Sequence, residues 1–134
     1  MNPGKKFAKR LLIRTLAMPA DTNPRGDIFG GWIVSQMDLA GLGLAQETAD
    51  ARATTVAIDR MSFLQPVQVG DFICCYGELL SIGRTSMQIK IDVYAIGHRE
   101  TDRRQVTEGV FTYVAIDETG NPIPVKSTAT LGNK

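Results

Sequence analysis

Ile28-Phe29-Gly30-Gly31-Trp32-Ile33-Val34-Ser35-Gln36-Met37-Asp38-Leu39-Ala40-Gly41-Leu42-Gly43-Leu44-Ala45-Gln46 is the stretch of this 134-residue chain on which the fold turns. Between Asp27 and Glu47 it holds one charged residue, Asp38. Its large apolar side chains, Trp32, Ile33, Val34, Met37, Leu39, Leu42 and Leu44, spread around the helical circumference. A helix that is apolar on nearly all sides is a buried helix. A membrane span is the other reading, but Gly30, Gly31, Ser35, Gln36, Gly41, Gly43 and a mid-segment Asp38 lower the hydrophobicity too far. Asp27 stands where a helix N-cap would stand.

Outward from this helix the chain reads as strands. Residues 7–17 predict a first strand, and the loop Pro19-Ala20-Asp21-Thr22-Asn23-Pro24-Arg25-Gly26-Asp27 is dense in residues that build defined turns. After the helix, strands are predicted over 54–63, 72–82, 85–97 and 106–117. In the third of these Met87, Ile89, Ile91, Val93 and Ala95 alternate with Gln88, Lys90, Asp92 and Tyr94, which is period two. A charged loop spans 98–105, Asp117-Glu118-Thr119-Gly120-Asn121-Pro122 makes a turn, and the tail beyond about 117 is expected to be loose. No repeat or low-complexity segment interrupts a single domain over 1–134. Short links between strands imply antiparallel neighbours. One antiparallel sheet must then curl around one long central helix, which is the α+β hotdog architecture. The sheet cannot enclose the helix completely, so a second copy of the chain is the natural cover.

Composition narrows the function. Fifteen Lys and Arg against 14 Asp and Glu leave a net charge of +1, without the basic field that draws proteins onto nucleic acid. Lys5, Lys6, Lys9, Arg10 and Arg14 cluster locally and read as a solvated N-terminal segment. The two cysteines, Cys74 and Cys75, are neighbours on a strand and point to opposite faces, so they do not readily pair. No Cys/His spacing suggests a metal, no segment reads as a signal peptide or membrane insertion, and the cytoplasm is the expected compartment.

Asp38 is the anomaly. A lone carboxylate in a buried apolar helix is costly unless it is paired or used. It could face solvent at a gap in the sheet or bond the backbone of a partner subunit. The functional reading is a general base or nucleophile in a partly dry site. Gly30 and Gly31 open the helix, where N–H groups have no intrahelical partner and lie at the positive end of the dipole. Such a site can hold a developing oxyanion; its rival is tight packing at the helix start. Eight residues separate Gly30 from Asp38, about 12 Å along a straight helix. One carbonyl cannot touch both, so a site using both must combine two subunits. His98, the only histidine, lies among charges and reads as a surface loop residue. Asp59, Arg60 and Ser62 form a strand set beside the helix without an assigned role. Pocket depth would depend on Trp32, Met37, Met61 and Phe63.

The run from Asn23-Pro24-Arg25-Gly26-Asp27 through Gly30-Gly31-Trp32 to Gln36-Met37-Asp38 resembles the bacterial YciA-like acyl-CoA thioesterases. So do Leu16-Ala17-Met18-Pro19-Ala20-Asp21-Thr22, Val69-Gly70-Asp71, Gly83-Arg84-Thr85-Ser86 and Val110-Phe111-Thr112-Tyr113-Val114. The resemblance covers roughly residues 11–116, and the chain after 116 departs from the pattern. It implies a hotdog fold and hydrolysis of acyl-CoA to free acid and coenzyme A. Asp38 would be the base or nucleophile, with the Gly30 N–H and the Asn23 amide on the thioester oxygen. Gly31 and the loop Gly83-Arg84-Thr85-Ser86 would meet the substrate, the loop at the pantetheine arm or phosphates; for Arg84 a plain exposed turn is the rival. Arg103 and Arg104 could hold the nucleotide phosphates or be solvated loop charge. The resemblance also implies a homo-oligomer, a dimer at least and a trimer of dimers in full, with sites shared across the dimer. No cofactor is implied, since coenzyme A arrives as part of the substrate. Two alternatives stay open: a hotdog hydroxyacyl dehydratase, disfavoured by the position of His98, and a non-catalytic acyl-CoA sensor, disfavoured by the short segment before the first strand.

Overall fold

The computed structural model describes residues 9–125. Its elements run β1 (Arg10–Leu16), α1 (Gly30–Ala49), β2 (Arg52–Phe63), β3 (Phe72–Ile82), β4 (Ser86–Ile96) and β5 (Arg104–Ile116). The five strands form one antiparallel sheet in the order β1-β3-β4-β5-β2. The sheet wraps α1, as the hotdog arrangement requires. β2 follows the helix yet pairs with the last strand, so it stands at a sheet edge.

The alternation in β4 fixes which face is inside. Met87, Ile89, Ile91, Val93 and Ala95 are all fully buried, and they meet Ile33, Met37, Ala40, Leu44 and Ala45 of the helix in one core. The Met, Ile, Val and Leu side chains among them each contribute about 1.5–3 kcal/mol on full burial. The opposite helix stripe is open in the single chain: Leu39 is 57% exposed, and Trp32, Val34 and Leu42 are only partly covered.

Several expectations shift. Asp27 is not the N-cap. The helix begins at Gly30 after an extended Phe29 (φ −64°, ψ 131°), with no side-chain cap. Asp27 is instead absorbed into the loop: its N–H donates to Asn23 Oδ1 at 3.1 Å, and its Oδ1 accepts from Gln68 Nε2 at 3.0 Å. The helix also runs past Gln46 to Ala49 and stops at Asp50, whose backbone is left-handed (φ 54°, ψ 43°).

Residues 117–125 are not loose. Asp117 Oδ1 accepts from the N–H groups of Thr119 and Asn121, Ile123 N donates to Ala115 O, and Val125 N donates to Arg84 O. Val125 is buried, which gives the segment an apolar anchor. The expectation for residues 126–134 lies outside the described residues, as does the part of the first strand before residue 9.

The described part of the basic cluster, Lys9, Arg10 and Arg14, is exposed as expected, with surface partners. Lys9 pairs with Asp92 at 3.0 Å, Arg10 pairs with Glu47, and Arg14 lies 4.7 Å over the Phe72 ring. Lys5 and Lys6 lie outside the described residues.

Cys74 and Cys75 are free and buried. Burial, with Cys74 adding, pushes the Cys75 thiol up to about 12. Only the thiolate reacts with disulfide reagents. The native protein should therefore show no fast Cys75 signal with a colorimetric disulfide reagent at pH 8, and full reaction after unfolding. The sign for stability follows. The unfolded thiol loses its proton from about pH 9 while the native one holds it, so unfolding becomes easier as pH rises from 9 towards 12.

Candidate active site

Asp38 sits in the middle of α1, half-buried, over the sheet. Its Oδ1 accepts from Thr55 Oγ1 at 2.7 Å and lies 3.0 Å from the Tyr113 hydroxyl. The same hydroxyl is 2.9 Å from the main-chain oxygen of Asp38. Thr55 and Tyr113 are direct cross-strand neighbours on β2 and β5, which is why both reach one carboxylate. A register shift follows Thr55 at once, between Thr55 and Ala57. Such bulges re-aim side chains near functional sites. The carboxylate is thus half-buried rather than bathed in solvent, and among the described residues of this chain no backbone N–H donates to it. It is hydrogen-bonded by hydroxyls on one oxygen.

The other expected half of the site is at the helix start. Trp32 N and Ile33 N donate back to Phe29 O, while among the described residues no hydrogen bond takes up the N–H of Gly30 or Gly31. With Asp27 engaged elsewhere and no side-chain cap, two donors remain at the positive end of a 20-residue helix. A cleft of about 300 Å³ opens beside them, lined by Asp27, Ile28, Gly30, Ile33, Phe63 and Leu64 among others. Asn23 organises the loop before it. Its Oδ1 accepts from Arg25 N at 2.9 Å and Asp27 N at 3.1 Å, an Asx-type turn. That leaves the amide nitrogen as the group able to donate outward.

Within one chain these halves are not together. Gly30 lies at the Phe63 end of β2, where a Cβ on it would stand 3.3 Å from the Phe63 ring. Asp38 lies at the Thr55 end. The loop Gly83-Arg84-Thr85-Ser86 is on the Asp38 side. Met87, Tyr113 and Thr55 share one row of the sheet, and the loop starts one residue beyond it. Gly83 N donates to Ser86 O, and Thr85 O and Arg84 O accept from Ala115 N and Val125 N. The loop is therefore braced, with the Arg84 side chain exposed.

Other candidates separate from the site. His98 is exposed beyond the far end of β4, about 30 Å along the strand from the Met87 row. Arg104 is on β5, half-buried and paired with Asp71 at 2.8 Å, so it is neither solvated loop charge nor free for phosphate. Arg103 packs over the Tyr94 and Tyr76 rings at 4.5 and 5.3 Å. Asp59 and Arg60 flank an outer-face groove with Leu80, Gln88 and Val110. Among the described residues no three His, Cys, Asp or Glu side chains come together as a metal site would need. No helix there is long and apolar enough to cross a membrane.

Thr55 and Tyr113 are what sequence reasoning missed. Both look like ordinary strand residues. A polar hydroxyl at inward-facing position 113 of an apolar strand, with Gly41 on the facing helix, is the available signal.

The family model for the thioesterase superfamily matches residues 25–101. The acyl-CoA thioester hydrolase YciA of Escherichia coli is 49% identical over 121 residues, 87% of this chain and 92% of that protein. The crystal structure of a hexameric thioesterase from Yersinia pestis is 49% identical with a TM-score of 0.83, covering 87% of this chain and 96% of that one. A hexameric hotdog fold thioesterase of Campylobacter jejuni is 36% identical with a TM-score of 0.84, covering 92% and 93%.

Proposed function

The chain belongs to the thioesterase superfamily and is an acyl-CoA thioester hydrolase, and from that premise we propose that Asp38 of one subunit and the helix start of its partner act on one thioester. The observation that carries the proposal is the Asp38 carboxylate, the one charge of α1 before its last turn, held on a single oxygen by Thr55 and Tyr113. A water molecule beside the carboxylate attacks the thioester carbonyl carbon while Asp38 takes its proton. The carbonyl oxygen becomes an oxyanion, stabilised by the N–H of the partner subunit's Gly30 and the amide of the partner subunit's Asn23. As the C–S bond breaks, the proton passes to the coenzyme A sulfur, leaving free acid and thiol. Direct attack by the carboxylate, through an anhydride that water opens, uses the same groups.

Edge geometry supports the shared site. β2 carries exposed Val56, Ile58 and Phe63 along a free edge. Antiparallel pairing of two β2 edges about Ala57 and Ile58 sets one chain's Phe63 opposite the partner's Arg52. The partner's Gly30, carried by Phe63, then lies over the Thr55 end, where Asp38 is held. The hexameric relatives support three such dimers in the full assembly. Gly31 and the braced loop Gly83-Arg84-Thr85-Ser86 meet the coenzyme A arm, and two buried free thiols suit the cytoplasm as the enzyme's compartment.

A thiol-release assay across short, medium, long and aromatic acyl-CoAs tests this reading. Release of coenzyme A in step with free acid is expected. Tight acyl-CoA binding without release, or hydration of an enoyl-CoA in its place, would overturn it.

A further inference from the structure

Tyr113 does more than its own burial requires. Its ring is fully buried and stacks on Phe111, with centroids 6.3 Å apart and planes 14° from parallel. A buried phenol needs one acceptor, and the main-chain oxygen of Asp38 at 2.9 Å supplies it. Yet the hydroxyl also stands 3.0 Å from Oδ1 of the same residue, so its proton is shared between backbone and side chain. Such a contact fixes the carboxylate relative to its own helix turn.

Gly41 makes this approach possible. A Cβ at position 41 would stand 2.2 Å from the Tyr113 hydroxyl oxygen and under 3 Å from two ring atoms. No side chain at 41 is compatible with the hydroxyl where it lies. A glycine inside a helix costs about 1 kcal/mol relative to alanine, and here it is spent on admitting the tyrosine.

We propose that Tyr113, admitted by Gly41, is a positioning residue for thioester hydrolysis, pinning Oδ1 of Asp38 so that Oδ2 is the oxygen presented to water or substrate. This rests on the role given to Asp38 above. Thr55 Oγ1 converges on the same Oδ1 at 2.7 Å, and among the described residues no hydrogen bond reaches Oδ2. Burial first, and the Asp38 charge second, push the Tyr113 hydroxyl far above the usual phenol range. It therefore stays a donor throughout the working pH range. Misplacement of a reacting group by about 1 Å can cost on the order of 100-fold in rate, so the orientation matters.

The test compares Tyr113→Phe, Gly41→Ala and, as a packing control, Ile91→Val from the buried core. Tyr113→Phe keeps the ring and deletes the hydroxyl. Its kcat should fall about 10-fold to 100-fold, the effect of losing a hydrogen bond to a charged group, with KM within about two-fold of wild type. Gly41→Ala approaches from the other side, displacing the hydroxyl without deleting it, and should lower kcat at least as far. Ile91→Val should lower Tm while leaving kcat at the wild-type value. If both Tyr113→Phe and Gly41→Ala turn over like wild type while Asp38→Asn is inactive, Tyr113 only packs and the inference is wrong. If Asp38→Asn is itself active, the role of Asp38 falls first and takes this inference with it.

Discussion

Asp38→Asn should reduce kcat by about 10²–10⁴-fold, the range that a positioned general base supplies, on every acyl-CoA the wild type accepts. The substitution is close to isosteric. The asparagine carbonyl can still accept from Thr55 Oγ1 and from the Tyr113 hydroxyl, the two contacts that tie position 38 to β2 and β5. The fold should survive, with Tm within a few degrees of wild type. What disappears is the group that takes a proton from water or attacks the carbonyl. KM should change little, because the pocket walls and the helix-start donors are untouched. Thiol release under saturating substrate, measured beside a thermal melt, gives the answer. Retention of a tenth or more of wild-type turnover by a folded variant would show that the carboxylate is not the reacting group.

Much of this is legible in the amino-acid sequence, and the reasons are physical. The period-two run in β4 fixed its own inner face, because Met87, Ile89, Ile91, Val93 and Ala95 can share a dry side only in a strand. Asp38 stood out because charge inside an apolar helix is expensive. Asp27 misled for an instructive reason. A carboxylate before an apolar run normally caps the helix, but here the Asn23 turn draws it into the loop, and the helix waits for Gly30. The cost of that missing cap is the very feature that leaves two N–H donors free. Thr55 and Tyr113 were hidden because their function depends on which strands become neighbours. β2 and β5 are distant in sequence, and nothing local to residues 55 or 113 reports that they sit side by side under Asp38. The ordered segment 117–125 was missed because one buried valine and a few backbone hydrogen bonds leave little pattern in composition.

The shared site makes a second, sharper prediction. Gly30→Pro deletes one N–H and little else. Position 30 is the first residue of the helix, where proline is favoured, and Phe29 already holds the extended backbone (ψ 131°) that must precede a proline. A Cβ there meets the exposed Phe63 ring at 3.3 Å, and that ring can move aside. Alone, this variant should lose about 10²–10³-fold in kcat, the scale of one oxyanion donor. Mixed with Asp38→Asn, it should recover activity. Each site takes its carboxylate from one chain and its N–H from the other, so a heterodimer of the two variants has one doubly damaged site and one intact site. Equal random mixing makes half the dimers heterodimers, each with half its sites working, so about a quarter of wild-type turnover should return. Co-expression with two affinity tags, or unfolding and refolding the mixture, supplies the exchange. A site built within one chain predicts no recovery at any mixing ratio, because every site would then carry one of the two lesions. Recovery near a quarter would locate the two halves of the chemistry on opposite subunits, and its absence in verified heterodimers would return both to a single chain.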